Sequence, residues 1–132
     1  MAVNVLIVDD SAFSREVIAH HLREARCTIV GEANNAAEGL KLFRKLNPDI
    51  VTVDLLMPIS EKVDAATLVK TMNQERPQVV IIVVSTVPFE KTMRDFLNQG
   101  ALAYIVKPFT EYSFRHTQLK LSREFPELAN PR

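Results

Sequence analysis

Five short apolar runs alternate with amphipathic stretches along the chain, and this alternation constrains the fold more than any other feature. The runs are rich in Val and Ile, which is typical of buried strands. Between them, apolar residues recur at the spacing of one helix face. Strict alternation of strands and helices predicts a parallel sheet covered by helices on both faces. The predicted strands span residues 3–8, 27–30, 50–54, 79–84 and 102–106.

The expected order of the strands follows from how parallel strands are connected. Crossovers between parallel strands are right-handed, which leaves few topologies for five strands. We expect an α/β fold with the flavodoxin-like order 2-1-3-4-5, in which the first and third strands are neighbours. Ligands bind such sheets beyond the carboxyl ends of the strands, where the strand order reverses. A functional site is therefore expected where the first and third strands end.

Helix boundaries are marked by residues that cap or interrupt helices. Pro88 is expected in the first turn of the fourth helix, with Phe89 on its inward side. Gly31 is expected to close the second strand, and Gly100 to end the fourth helix. The fifth helix is expected over about 110–125, although its apolar periodicity is poor. Ser11 and Asn35 are the predicted N-terminal caps of the first two helices, and the third helix is expected to start near Asp64.

Composition excludes several classes of function. The 132 residues fit one domain, and 16 basic residues balance 16 acidic ones, so no electrostatic feature favours nucleic acid or an anionic membrane. No apolar run approaches the roughly 20 residues of a membrane span. The first residues enter a strand directly, without the pattern of a signal peptide. Cys27 is the single cysteine, so no internal disulfide can form, and we predict a buried thiol and a cytoplasmic protein.

The stretch from Ile50 to Pro58 contains the first candidate for chemistry. Its strand ends on Asp54, and the chain must then turn because Pro58 disfavours helical geometry at Met57. An aspartate at the carboxyl end of a central strand is a candidate nucleophile or metal ligand. Aspartate also caps turns frequently, so Asp54 alone leaves both interpretations open.

Polar side chains follow four of the predicted strands, which core packing does not require. Three carboxylates in one crevice repel each other unless a hard cation lies among them, and Mg²⁺ prefers such oxygen ligands. A lysine across the crevice can pair with Asp54 and then with a transferred phosphoryl group. A hydroxyl can donate to a phosphoryl oxygen, which completes the set for phosphoryl transfer onto a carboxylate. The strand-end residues are Asp9, Asp10, Asp54, Ser85, Thr86 and Lys107.

Residues 3 to about 123 resemble the receiver domain of two-component response regulators, in particular the single-domain chemotaxis type. The resemblance is carried by the acidic pair, the D-x-x-M-P pattern of residues 54–58, the strand-end hydroxyl and the Lys-Pro pair. It implies that Asp54 is the phosphoacceptor, and that Lys107 and Ser85 are catalytic. Ser85 and Tyr104 match the two switch positions. The implied Mg²⁺ ligands are Asp9, Asp10, Asp54 and the backbone carbonyl of Leu56.

The resemblance also implies a function and partners. A receiver takes a phosphoryl group from a sensor histidine kinase or a phosphotransfer protein. It then changes its affinity for a downstream protein through the face of helix 4, strand 5 and helix 5, without being a turnover enzyme. We expect residues 1–125 to be the receiver domain and 126–132 to be a short tail. A chain that ends so soon after its fifth helix is expected to be a stand-alone regulator.

Two other functions remain as alternatives. The first is a degenerate receiver that binds partners without phosphorylation. The second is an enzyme on a similar sheet. A dehalogenase-like phosphatase would need D-x-D spacing where Asp9 and Asp10 are adjacent, and the glycines at 31, 39 and 100 form no nucleotide-binding motif.

Four positions depart from the pattern or bear on the lifetime of a phosphorylated state. Lys62 lies in the 59–62 loop where the family usually has glycine, which predicts strain if the turn needs positive φ. Thr86 replaces a smaller residue beside the site. The resemblance implies that Leu56 and Val87 flank the approach of a hydrolytic water, and neither side chain can hydrogen-bond it. We therefore expect slow loss of the phosphoryl group.

Overall fold

The computed structural model describes residues 2–59, 61–108 and 110–129, and it contains a sheet of five parallel strands with the order β2-β1-β3-β4-β5. This confirms the predicted fold. Ser60 of the predicted 59–62 loop and residues 130–132 of the predicted tail lie outside the described residues. The elements are β1 (Asn4–Val8), α1 (Ala12–Glu24), β2 (Thr28–Ala33), α2 (Ala36–Leu46), β3 (Ile50–Val53), α3 (Ala65–Glu75), β4 (Val80–Ser85), α4 (Glu90–Asn98), β5 (Ala103–Val106), α5 (Glu111–Glu124) and the 3₁₀ helix Pro126–Leu128.

The register of the central strands brings their carboxyl ends level. Val8 of β1 pairs with Val53 of β3, so the residues that follow them, Asp9 and Asp54, leave the sheet side by side. The amide of Asp54 donates to the carbonyl of Val8 at 3.0 Å, which extends the ladder to the aspartate itself. The strand pairing therefore decides that these two carboxylates meet.

The sheet is buried on both faces, as expected for strands covered by helices. Alternate residues of β4 belong to two different apolar clusters, and every residue of that strand is buried. Buried residues of α1 and α5 pack in one cluster, and those of α2, α3 and α4 pack in the other. Leu128 of the terminal 3₁₀ helix packs against the first cluster. Part of the predicted tail is thus folded onto the domain.

Side-chain caps begin the first three helices, two of them at the predicted caps and the third at Asp64, near which the helix was expected to start. Ser11, Asn35 and Asp64 each accept a hydrogen bond from the amide three residues later. These bonds satisfy amides that the helix itself leaves without partners. The Ser11 cap matters most for function because it fixes the first turn of α1 beside Asp9.

The prediction for Gly31 was wrong. The second strand continues through Gly31 to Ala33, with an irregularity in its pairing opposite Val5 and Leu6. A Cβ atom at Gly31 would lie 2.7 Å from Cδ1 of Leu46. The glycine therefore permits close packing of the end of α2 rather than ending the strand.

The prediction for the start of the fourth helix was also wrong. The helix begins at Glu90, so Pro88 lies before it, and Phe89 is the N-cap residue with extended backbone. The Phe89 side chain is 66% exposed rather than inward, because a residue outside the helical spiral does not share its buried face. Phe96 is the buried residue of α4, and Gly100 follows the helix with φ of +110° as expected.

Cys27 is buried, as predicted, and burial raises the pKa of its thiol to about 11, with a smaller contribution from the negative charge of Asp49. A thiol that stays protonated at neutral pH is a poor nucleophile. The helices of the described ranges include none with the length and apolar character needed to cross a membrane.

The loop before α3 holds its backbone in the left-handed region at two residues that are not glycine. Glu61 has φ of +52° and Lys62 has φ of +62°. This conformation brings the Cβ atom too close to the carbonyl oxygen in L-residues. The strain that the sequence raised for Lys62 is therefore present in the folded chain.

Replacement of Lys62 is expected to separate backbone strain from the loss of the side chain. Lys62→Gly relieves the strain, and Lys62→Ala removes the same side chain but keeps it. We expect the glycine variant to exceed the alanine variant by about 1 kcal/mol in free energy of unfolding, measured by urea denaturation. Equal stabilities would show that the cost of the positive φ does not exceed the entropy that glycine adds to the unfolded chain.

Candidate functional site

Two buried carboxylates form the centre of the crevice at the carboxyl edge of the sheet. Asp9 is 1% exposed and Asp54 is 5% exposed. Asp9 accepts the amide of Ser11 on Oδ1 at 2.9 Å, and Asp54 accepts the amide of Leu56 on Oδ1 at 3.2 Å. Asp54 thus does cap its turn, as the alternative interpretation proposed. The other oxygen of Asp54, Oδ2, lies 3.7 Å from Nζ of Lys107.

Asp10 adds a third carboxylate at the rim of the crevice, where it is exposed. One carboxylate oxygen from each of Asp9, Asp10 and Asp54 lies within 4.8 Å of the other two. The sequence predicted this convergence from the strand ends alone. Three oxygen donors at this separation can hold a metal ion.

Lys107 brings the balancing positive charge from the end of β5. Its ammonium Nζ lies 2.7 Å from Oδ2 of Asp9 and 3.7 Å from Oδ2 of Asp54. The sequence predicted a pair with Asp54, and the structure adds Asp9 as the nearer partner. The backbone of Lys107 is fixed by its amide, which donates to the Ser85 carbonyl at 2.8 Å, and the peptide bond to Pro108 is cis.

The electrostatics of this cluster favour a further cation. Burial raises the pKa of Asp54, and the negative charges of Asp9 and Asp10 raise it further. The Leu56 amide and the Lys107 ammonium oppose this rise without cancelling it. Three carboxylates against one ammonium leave two negative charges uncompensated, which matches the charge of a divalent ion. The donor set therefore fits a hard divalent cation, and the burial of Asp9 and Asp54 is costly without one.

Ser85 and Tyr104 lie on adjacent strands near the same edge. Ser85 is fully buried, and its Oγ accepts the amide of Val87 at 3.2 Å. The hydroxyl of Tyr104 donates to the Val87 carbonyl at 2.7 Å. The Tyr104 ring packs inward toward Phe96 with a centroid separation of 6.5 Å. Both side chains therefore contact the loop between β4 and α4.

The pKa of the Tyr104 phenol is raised above its ordinary value, mainly by burial. Burial raises this pKa, and the negative charge of Asp54 also raises it, while an interaction with the Ser85 hydroxyl opposes the rise. The phenol consequently remains a hydrogen-bond donor at neutral pH.

Leu56 follows the end of β3, and Thr86 and Val87 follow the end of β4, while their predicted place at the mouth of the crevice stays a prediction. Leu56 is 58% exposed, Thr86 is exposed and Val87 is half-buried. Both backbone groups of Val87 are already engaged, its amide by Ser85 and its carbonyl by Tyr104. The side chains of Leu56 and Val87 offer no hydrogen-bonding group, and Thr86 offers one hydroxyl.

Two residues of α1 belong to the site although sequence reasoning did not select them. Arg15 donates from Nη1 to the Asp9 carbonyl at 2.7 Å and from Nε to Glu32 at 3.0 Å. Ser14 accepts a hydrogen bond from the Lys107 ammonium at 3.2 Å. The spacing from the cap at Ser11 was the available signal, since residues three and four positions along a helix share its face.

Comparisons with known proteins agree with this geometry. The family model described as the response regulator receiver domain matches residues 5–117. The chemotaxis protein CheY of Thermotoga maritima is 37% identical over 109 residues, which is 83% of this chain and 88% of that protein.

Solved structures give the same result. The receiver domain of the response regulator AraT from Geobacillus stearothermophilus has a TM-score of 0.83 and 27% identity, covering 98% of this chain and 100% of that one. CheY of Borrelia burgdorferi, solved with CheX, BeF₃⁻ and Mg²⁺, has a TM-score of 0.79 and 29% identity over 92% of this chain and 88% of that one. The chain with its strand-end aspartates, hydroxyl and lysine therefore belongs to the response regulator receiver domain family, of the CheY-like type.

Proposed function

We propose that this protein is the phosphoacceptor module of a two-component system, and that Asp54 accepts the phosphoryl group. The observation that carries the proposal is the position of the Asp54 carboxylate. It is buried at the end of the central strand, 3.7 Å from Lys107 and within 4.8 Å of oxygens of two further carboxylates. A purely structural aspartate gains nothing from two neighbours of the same charge.

Each residue of the crevice has a role in this reaction. An Asp54 carboxylate oxygen attacks phosphorus, and the bond from phosphorus to the donor nitrogen breaks. The product is an aspartyl phosphate, and the electron pair of the broken bond returns to the donor. Lys107 stabilises the negative charge on the transferred group, and the Ser85 hydroxyl donates to one of its oxygens.

We propose Mg²⁺ as the divalent ion of the acidic cluster. Its ligands would be the carboxylates of Asp9, Asp10 and Asp54 and the backbone carbonyl of Leu56, the last on the strength of the family resemblance. When bound, Mg²⁺ neutralises charge on the phosphoryl oxygens. Two observations support this choice, namely the two uncompensated negative charges of the cluster and the Mg²⁺ in the related CheX–CheY complex of Borrelia burgdorferi.

The proposed partners are a sensor histidine kinase or phosphotransfer protein as donor and a downstream protein as target. The target face is that of α4, β5 and α5, which encloses a groove of about 700 Å³. Tyr104 lines this groove and contacts the β4–α4 loop, so it can link Ser85 to the face. Because its ring already packs inward, we propose that phosphorylation stabilises this arrangement rather than creating it.

The remaining sequence predictions stay predictions. They are a cytoplasmic location, no binding of nucleic acid, no turnover activity beyond the chain's own phosphoryl transfer and hydrolysis, and a domain boundary near 125. The degenerate receiver stays an alternative, and the phosphorylation experiment distinguishes it from the proposed function.

Incubation with acetyl phosphate and Mg²⁺ is expected to add one acid-labile phosphoryl group, detectable by intact-protein mass spectrometry. Asp54→Asn is expected to abolish this addition because an amide oxygen is not a nucleophile for phosphorus. Asp95→Asn is the matched control, since Asp95 is an exposed aspartate on α4 that pairs with Lys91 at 3.1 Å.

The control variant is expected to take up phosphoryl as the wild type does. Undiminished addition to Asp54→Asn would contradict the assignment. No addition to the wild type would favour the degenerate receiver.

The phosphorylated state is expected to be long-lived because Leu56 and Val87 cannot orient a hydrolytic water. Leu56→Asn combined with Val87→Glu supplies groups that can, and we expect about tenfold faster loss of the phosphoryl group, equivalent to about 1.4 kcal/mol of barrier. The rate is measured after removal of the phosphodonor, so that loss is separated from loading.

Leu119→Asn is the control for this pair, since Leu119 on α5 is 58% exposed, as Leu56 is. It is expected to leave the rate of loss unchanged. A double variant that keeps the wild-type rate would show that water placement at the mouth does not set the lifetime.

A further inference from the structure

The Lys107 ammonium has two hydrogen-bond acceptors in the crevice, and only one of them is a carboxylate. Its Nζ donates to Oδ2 of Asp9 at 2.7 Å and to Oγ of Ser14 at 3.2 Å. An ammonium has three N–H donors. The Asp54 oxygen at 3.7 Å is within ion-pair range but beyond hydrogen-bond range. The third N–H is therefore not committed to either acceptor.

Both acceptors are fixed by the same helix cap. The amide of Ser11 donates to Asp9, and the Oγ of Ser11 accepts the amide of Ser14. Ser14 thus has a backbone held in the first turn of α1, and its half-buried side chain faces the crevice. Through these two bonds, Ser11 holds both acceptors of the flexible Lys107 side chain in position.

We propose that Ser14 is a positioning residue for Lys107, and that its hydroxyl orients the uncommitted N–H toward Asp54. This inference rests on the proposed function, because its consequence is a faster transfer of phosphoryl to Asp54. Ser14 makes no bond to the reacting atoms and acts only through the ammonium.

One hydrogen bond alone does not fix the directions in which the Lys107 ammonium points its N–H groups. An ammonium bound only to Asp9 can change its N–H directions when the flexible lysine side chain swings about the hydrogen bond to Oδ2. A second acceptor at a fixed angle removes that motion before the reaction begins. Donors that are oriented in advance toward developing charge need no reorganisation in the transition state.

Free space lies beside the Lys107 side chain and Ser14. A second cavity, of about 440 Å³ and distinct from the acidic crevice, opens between α1 and the end of β5. After loss of the hydroxyl, this space gives the 15% exposed lysine side chain room to change the direction of its N–H groups while Nζ stays paired with Asp9. The lining residues are Phe13, Ser14, Val17, Thr86, Lys107 and Pro108.

The first measurement is the rate of phosphorylation by acetyl phosphate in the full chain. Ser14→Ala is expected to lower the maximal rate about fivefold, the size of one neutral hydrogen bond, with little change in the concentration for half-maximal rate. Ser14→Thr restores a hydroxyl and is expected to recover most of the rate. Ser122→Ala is the matched control, since Ser122 is a half-buried helical serine whose hydroxyl donates within α5 to the Gln118 carbonyl.

The second measurement reports the ammonium itself and needs no phosphorylation. Nuclear magnetic relaxation of the Lys107 Nζ is expected to show a lower order parameter in Ser14→Ala than in the wild type and in Ser122→Ala. A wild type that takes up no phosphoryl would overturn the proposed function, while the relaxation experiment would still test the anchor. An unchanged rate, or a reduced rate with unchanged order of the ammonium, would overturn the role of Ser14.

Discussion

The structure depends on the burial of two carboxylates side by side, at the ends of two neighbouring parallel strands. The pairing of Val8 with Val53 forces Asp9 and Asp54 together. Buried charges of the same sign are costly unless each is hydrogen-bonded and balanced. Backbone amides after each strand supply one bond apiece, at Ser11 and Leu56, and Lys107 supplies the charge. Lys107 balances one of the three negative charges of the cluster. The remaining negative charge lets the cluster bind a further cation, which a cluster with balanced charge would not do.

The lysine that partly balances this cluster follows the outer strand β5, at the same carboxyl edge of the sheet. Lys107 is 98 residues from Asp9 in sequence, so their contact forms only when β5 is docked beside β4. The backbone amide of Lys107 also donates to the Ser85 carbonyl, and this bond couples the acidic crevice to the β4–α4 loop. Tyr104 contacts that loop from the next strand and also lines the α4–β5–α5 groove. A change at the Asp54 carboxylate therefore has a short path of contacts to the proposed target face.

Much of this arrangement could be predicted because it follows from the backbone. Strand order, helix caps and the convergence of strand-end residues depend on periodicity and on the handedness of crossovers, which are local or topological rules. Contacts between side chains of different elements could not be predicted. Three such contacts depend on how α1 packs against two strands. They are the short distance from Lys107 to Asp9, the hydrogen bond of Lys107 to Ser14 and the hydrogen bond of Arg15 to the Asp9 carbonyl. Gly31 and Phe89 were misjudged for a similar reason: Gly31 is set by the packing of Leu46, and Phe89 by a helix that starts after its proline rather than at it.

The central claim is that the acidic crevice binds a divalent cation and a phosphoryl group together at Asp54. The most direct measurement is a titration of the full chain with Mg²⁺ and then beryllium fluoride, a phosphoryl mimic, followed by amide resonances. We expect saturable shifts at Asp10, Asp54, Ser85 and Lys107 that need both additions, extend to Tyr104 and disappear in Asp54→Asn. Shifts that persist in that variant, or no response in the wild type, would show that the crevice does not bind the cation and the phosphoryl group at Asp54.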